Sequence, residues 1–114
     1  NSPMNPTGVV FSSEVMTALA ELDIPVISDE IYADLSFEDP PCSFLSYSPQ
    51  TVAIHGFSKS YAMTGWRLGY MITPLEWMSA ADRLHQNLVI SATEFVQEAG
   101  ISVLRKSAAY CESM

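Results

Sequence analysis

Three short apolar runs divide the chain, and each stops abruptly at polar residues. They cover residues 24–27, 51–54 and 68–72, and the first ends at Ser28-Asp29-Glu30. Runs of this length, apolar at most successive positions, are typical of strands that are buried on both faces. With helix signals between and after them, they predict an α/β fold with buried, mostly parallel strands.

Helix signals lie on either side of these runs. Ser12 can cap a helix over residues 13–22, and Glu14 suits its first turn. The segments 73–76 (TPLE) and 91–94 (SATE) match capping boxes at the start of two further helices, the first with proline at the first helical position. Prolines and glycines place residues 1–8 and 37–49 in loops. Apolar side chains at helical spacing predict the buried faces: Val15, Leu19 and Leu22; Trp77, Ala81, Leu84 and Leu88; Val96, Ala99 and Val103.

Two charged residues follow the first two apolar runs. Asp29 stands at the end of the first run, and Lys59 stands a few residues beyond the second. In open α/β sheets, ligands bind beyond the carboxyl ends of the strands. If these two strands are parallel neighbours, Asp29 and Lys59 face the same crevice.

The charge of the chain excludes some partners. The formal net charge is -8, which argues against nucleic acid or an anionic membrane surface. No apolar run approaches the length of a membrane span, and no signal-peptide pattern opens the sequence, so we expect a cytoplasmic protein. Cys42 and Cys111 are far apart and are expected to be free thiols. With His55 and His85 isolated as well, no metal site is predicted.

Basic residues are placed unevenly. The first is Lys59 and the next is Arg67, so the first 58 residues contain no lysine or arginine. From charge alone, this pair fits a solvated face as well as it fits a binding site. The chain also begins with Asn1 inside a loop motif, so we expect it to be a piece of a longer protein.

Three blocks of the sequence resemble one enzyme family. They are NSPMNPTG at 1–8, SDEIY at 28–32 and GFSKSYAMTGWRLGY at 56–70. Together, in this order and at this spacing, they are similar to the aminotransferase class I/II family of pyridoxal-phosphate enzymes. The resemblance implies that residues 1–114 are part of the large, cofactor-binding domain of a fold type I enzyme, with the remainder of the enzyme outside the chain.

The resemblance assigns a role to each matching residue. Lys59 looks like the lysine that forms a Schiff base with pyridoxal 5'-phosphate, the alternative being a surface lysine. Asp29 looks like the partner of the pyridine nitrogen, with Glu30 as the rival carboxylate. Asn5 and Tyr32 look like donors to the phenolate oxygen of the ring, although turn chemistry and aromatic packing also explain them.

Arg67 looks like the phosphate ligand, because its planar fork can hold two phosphate oxygens. Gly65 is expected to permit the turn that aims Arg67 inward, and the Asn5–Pro6 peptide bond is expected to be cis. One position departs from part of the family: Gly56 stands where many members carry a serine or threonine that contacts the phosphate. Ser58, next to the lysine, is not assigned to the site.

The implied reaction transfers an amino group from an amino acid to a 2-oxo acid, with Lys59 as the catalytic base. A carbon–sulfur lyase of the same fold would use the same residues. A non-catalytic, truncated remnant is a third possibility, against which the intact set of Lys59, Asp29 and Arg67 argues. We expect a homodimer or another homo-oligomer, and the substrate amino acid cannot be identified from this segment.

Overall fold

Three strands form one sheet in the order in which they occur along the chain. In the computed structural model, which describes residues 1–36 and 41–106, they are β1 (Val26–Asp29), β2 (Thr51–Gly56) and β3 (Gly69–Ile72). Helix α1 (Ser13–Ala20) precedes the sheet, and α2 (Leu75–Leu88) and α3 (Glu94–Lys106) follow it. Short 3-10 turns lie at Ala33–Leu35, Phe44–Ser46 and Thr64–Trp66.

The pairing of β1 with β2 is parallel, with Val26 beside Thr51 and Asp29 beside Ile54. The pairing of β2 with β3 is antiparallel, with Gly56 beside Gly69. The α/β class is therefore confirmed, but the third strand runs against its neighbour. A parallel return needs a crossover of a dozen or more residues, usually a helix, whereas residues 57–68 contain only a short 3-10 turn.

One face of the sheet is covered and the other is open among the described residues. Thr51 and Ala53 are fully buried on the face where the turn containing Phe44 packs. Successive side chains of a strand point to opposite faces, and Ile27, on the other face, is 72% exposed. Ile54 and Met71 share that face and are also exposed. The prediction that β1 is buried on both faces is therefore wrong for this part of the chain.

Helix α1 begins as predicted and ends early. The Ser12 hydroxyl accepts a hydrogen bond from the Val15 amide at 3.4 Å, and its contact with Glu14 lowers the pKa of that carboxyl. The helix ends at Ala20 rather than at Leu22, because the chain turns at Asp23, which has a φ of 51°. Its buried side chain is Met16, whereas Val15, Leu19 and Leu22 are exposed.

The two later helices begin after the positions predicted by their capping boxes. Pro74, with an extended ψ of 142°, is the N-cap of α2, and no side chain caps that end. Because Pro74 is extended, Thr73 cannot be the cap. At α3 the Thr93 carbonyl, rather than Ser91, accepts the first helical hydrogen bonds.

Packing distinguishes these two helices. Val96 and Gly100 of α3 are buried, and Ala99 and Val103 beside them are half-buried, as the spacing predicts. On the predicted apolar face of α2, Trp77 and Ala81 are half-buried, whereas Leu84 and Leu88 are 64% and 79% exposed, so the second half of that face is open in the described part of the chain. None of the described helices is long and apolar enough to span a membrane.

Glycine is required where β2 and β3 meet. A Cβ atom on Gly69 would lie 3.0 Å from the His55 carbonyl oxygen, whereas a Cβ on Gly65 would meet nothing within 4 Å. We predict that Gly69→Ala lowers the free energy of unfolding by about 1–3 kcal/mol, because the backbone of β2 must shift. The matched control, Gly65→Ala, should leave it within about 0.5 kcal/mol. Denaturant unfolding of both variants measures this, and equal midpoints would contradict it.

Candidate active site

The N-terminal loop lies against the carboxyl end of β1. The Asp29 carbonyl oxygen accepts hydrogen bonds from the Ser2 amide and from the Asn1 side chain, both at 3.2 Å. The Asn1 side-chain oxygen also accepts a hydrogen bond from the Asn5 backbone amide at 3.0 Å. Residues 1–5 are thereby held at the edge where β1 and β2 both end.

A hydrogen bond joins the first two sequence blocks through their side chains. The Asn5 amide nitrogen donates to the Tyr32 hydroxyl oxygen at 2.8 Å, and the Asn5–Pro6 peptide bond is cis, as expected. Because the Tyr32 oxygen acts as acceptor here, its own proton remains available to a third group. The Asn5 side-chain amide retains a second N–H, so Asn5 and Tyr32 can both donate toward one acceptor.

Lys59 projects from a loop that is anchored in the core. Phe57 and Met63 are buried, and the Met63 amide donates to the Phe57 carbonyl at 3.1 Å. Lys59 is exposed between them, and its Nζ lies 5.5 Å from the centre of the Tyr32 ring. The buried neighbours fix the loop and leave the ammonium group beside Tyr32.

Arg67 follows the same loop in a left-handed backbone conformation, with a φ of 54°. Its Nη1 donates to the Thr64 carbonyl at 3.1 Å, and the Thr64 hydroxyl donates to the Ser58 carbonyl at 2.9 Å. Arginine has five N–H donors, so this bond leaves capacity for an anion. The expectation for Gly65 is wrong: the left-handed turn is made at Arg67 itself, and Gly65 has no positive φ.

The two rival carboxylates have different environments. Glu30 is 4% exposed, and its Oε1 accepts bonds from the Ser28 hydroxyl, the Ser43 hydroxyl and the Phe44 amide. Its Oε2 lies 3.2 Å from His55 Nε2. Asp29 is half-buried and accepts a bond from the Ile31 amide at one oxygen, Oδ1. A carboxylate surrounded by four partners is structural, so the geometry favours Asp29 as the ligand-facing acid.

The structure brings the predicted residues together to different degrees. Tyr32 lies between Asn5, which it contacts by the hydrogen bond, and Lys59, whose ammonium group faces its ring. Asp29 joins them through its backbone, which holds the N-terminal loop. Arg67 joins them through Thr64 and the loop that carries Lys59. A cavity of about 600 Å³ is lined by Asn5 and Tyr32, but not by Asp29, Lys59 or Arg67.

The glycine that departs from the family pattern lies against Ile31. A Cβ atom on Gly56 would lie 2.7 Å from the Ile31 Cδ1 atom, so a serine or threonine there would displace Ile31. Ser58 is half-buried, and its carbonyl accepts a hydrogen bond from the Thr64 hydroxyl. Cys42 is a free, exposed thiol as expected, while Cys111 and residues 37–40 of the predicted loop lie outside the described residues.

The contact between Glu30 and His55 is not predicted from the sequence. The contact follows from the parallel register of β1 and β2. Glu30 directly follows β1 and His55 lies near the end of β2, so the two residues are neighbours across the strands. Among the described residues no cluster of side chains could hold a metal ion.

Comparison with known proteins identifies the family of this arrangement. The family model for aminotransferase class I and II matches residues 1–114. The chain belongs to this family. A probable aspartate aminotransferase of Methanocaldococcus jannaschii is 36% identical over 100% of this chain and 33% of its own length. A (5-formylfuran-3-yl)methyl phosphate transaminase of the same organism is 44% identical over 93% of this chain and 30% of its own length.

Solved aminotransferase structures share the fold. Aspartate aminotransferase from Thermus thermophilus with maleate matches at a TM-score of 0.92 and 37% identity, over 99% of this chain and 32% of that one. The chain therefore has the α/β fold of part of a fold type I aminotransferase, and it spans about a third of the length of these relatives. Membership of the aminotransferase family implies pyridoxal phosphate as the cofactor.

The chemistry of the donor set fits that cofactor. Lys59 offers an amine for the aldehyde, and Asp29 offers an anion for a protonated ring nitrogen. The bonded pair of Asn5 and Tyr32 offers two donors for one phenolate oxygen, and Arg67 offers a forked cation for a phosphate. Each polar group of pyridoxal phosphate thus has a complementary side chain on this aminotransferase segment.

Proposed function

We propose that this chain carries the pyridoxal-phosphate site of an aminotransferase that moves an amino group between an amino acid and a 2-oxo acid. The observation that supports this most is the convergence of Asn5, Tyr32 and Lys59 at the carboxyl edge of the parallel strands, beside Asp29. The relatives named above are aminotransferases or transaminases, which favours transfer over carbon–sulfur elimination.

Each residue has a separate task in this proposal. The bound cofactor supplies an aldehyde that forms an imine with an amine and a ring that accepts electrons. Lys59 Nζ would hold the cofactor until the substrate amine replaces it. The freed amine would then take the α-proton of the amino acid and return it to the carbon that carried the cofactor's aldehyde, two atoms away across the nitrogen. Asp29 keeps the ring nitrogen protonated, Asn5 and Tyr32 stabilise the negative ring oxygen, and Arg67 holds the phosphate.

The setting of the enzyme is part of the proposal. The open sheet face at Ile27, Ile54 and Met71 needs a cover, because exposed apolar surface of this kind is unfavourable in water. The rest of the large domain and a second subunit are the proposed covers, in a homodimer or another homo-oligomer. We place the enzyme in the cytoplasm, with no nucleic acid and no membrane as partner.

Borohydride reduction tests the role of Lys59. In the active enzyme loaded with pyridoxal phosphate, reduction should fix the cofactor to Lys59, because only an amine that forms the imine becomes a stable secondary amine. Peptide mapping by mass spectrometry locates the label. Lys106, in the last turn of α3, serves as the internal control, and a label there or none at all would overturn the assignment.

Asp29 and Arg67 should fail in different ways. Asp29→Ala should lower kcat at least about a hundredfold with a smaller effect on cofactor affinity, because it removes charge stabilisation that develops during the reaction. Arg67→Ala should weaken cofactor binding on the order of tenfold or more, since it removes charged hydrogen bonds to the phosphate. Steady-state kinetics and equilibrium dialysis separate the effects. Arg83→Ala, on α2, is the control, and identical defects in the first two variants would refute the division of roles.

The 114 residues alone should not turn over substrate. A transaminase must also bind the substrate carboxylate, usually with an arginine. Besides Arg67, the chain has Arg83 in α2, bonded to the Ser79 carbonyl, and Arg105 in the last turn of α3. We expect weak cofactor binding, measured by absorbance, and self-association, measured by light scattering. Amino transfer is assayed by adding an amino donor and an oxo acid. Sustained turnover by a monomer of this chain would show that no other residues are needed.

A further inference from the structure

Glu30 has every backbone and carboxylate polar group bonded. Its amide donates to the Ile54 carbonyl at 2.9 Å, and its carbonyl accepts from the Ala33 amide at 2.9 Å. Its carboxylate accepts from Ser28, Ser43 and Phe44 at one oxygen and faces His55 at the other. One buried residue thus connects β1, β2 and the turn that contains Phe44.

The position of Glu30 along the chain relates this tether to the candidate active site. Asp29 immediately precedes it, and Tyr32 lies two residues after it. Alternation along the strand places the Glu30 side chain on the face opposite that of Asp29. The bonds of Glu30 therefore fix residues 29–32, the segment that carries Asp29 and Tyr32, from the opposite face of the sheet.

His55 connects the same tether to β2. Its Nε2 lies 3.2 Å from Glu30 Oε2, and its ring stacks on Tyr70 of β3, with the centroids 5.3 Å apart and the planes 14° apart. Either protonation state that carries a proton on Nε2 can donate to the carboxylate. Burial, followed by the charges of Asp34, Tyr61 and Glu30, raises the pKa of the Tyr70 hydroxyl, so Tyr70 contributes a neutral aromatic face. Lys59 follows His55 by four residues.

We infer that Glu30 and His55 are positioning residues for the reaction: their buried contact sets the separation between the Asp29–Tyr32 segment and the loop that carries Lys59. The inference rests on the proposed function. A positioning residue affects the reaction rate through the geometry of the reacting groups. A displacement on the order of 1 Å can reduce the rate up to about a hundredfold. Neither residue touches the cofactor or the substrate in this role.

The test uses the active enzyme with pyridoxal phosphate bound and compares three isosteric or shape-matched changes. Glu30→Gln presents an amide N–H to His55 in place of an acceptor, and His55→Phe keeps the ring stacking but removes the donor. His55→Gln keeps a donor at a comparable reach. The control is Asp23→Asn at the opposite, amino-terminal edge, where the Asp23 carboxylate accepts a bond from Gln50 at 2.7 Å.

The informative readout is the pH at which the visible absorbance of the bound cofactor changes. Tyr32 and Asn5 stabilise the deprotonated ring oxygen, and if they move away that midpoint should rise, because the neighbouring proton is then held more tightly. Glu30→Gln and His55→Phe should raise the midpoint and lower kcat about tenfold with little change in KM. His55→Gln should stay within about threefold of the parent in kcat, and Asp23→Asn should match the parent.

Two results would overturn the inference. One is an unchanged absorbance midpoint and kcat in Glu30→Gln and His55→Phe, even if thermal stability falls. The other is an equal effect in Asp23→Asn. Should Glu30→Gln fail to fold, the contrast between His55→Phe and His55→Gln decides, since equal midpoints and kcat values would refute a role for the donor. Borohydride labelling of Lys59 in the parent enzyme shows independently whether the proposed function itself holds.

Discussion

The parallel pairing of β1 with β2 is the constraint on which the remaining geometry depends. Because Asp29 pairs with Ile54, both strands end at one edge, and the residues that follow them share one crevice. The N-terminal loop can be part of that crevice only because the Asp29 carbonyl, freed at the strand end, accepts two bonds from it. An antiparallel pairing of the same two strands would have placed Lys59 at the opposite edge from Asp29.

Local signals in the sequence predicted the parts of the fold that local chemistry decides. The Ser12 cap and the buried side of α3 are set by hydrogen bonding and periodicity within a few residues. The direction of β3 and the starts of α2 and α3 were not predicted. The direction of β3 follows from the absence of a helix in residues 57–68, and the start of α2 follows from the extended backbone at Pro74. The exposure of Ile27 reflects surface that the described residues do not cover.

The candidate site residues were easier to predict than the buried contact of Glu30 with His55 beneath them. The candidate side chains are conspicuous by type, and family resemblance named all five of them; in the structure Tyr32 contacts Asn5 and faces the Lys59 ammonium group. The contact of Glu30 with His55 depends instead on strand register, which no short motif encodes. Gly65 illustrates a related limit: glycine suggests a left-handed turn, yet the turn is made at Arg67.

With the phosphate role proposed for Arg67, its left-handed conformation would set function against folding stability at one position. A side chain in that region costs roughly 1–2 kcal/mol relative to ordinary helical backbone, and glycine is the residue that avoids the cost. A chain selected for folding alone would therefore favour glycine at position 67 and would lose the guanidinium. Asp23 and Ile90 adopt the same backbone region, so at Arg67 the strain is a cost that the proposed phosphate contact would have to offset.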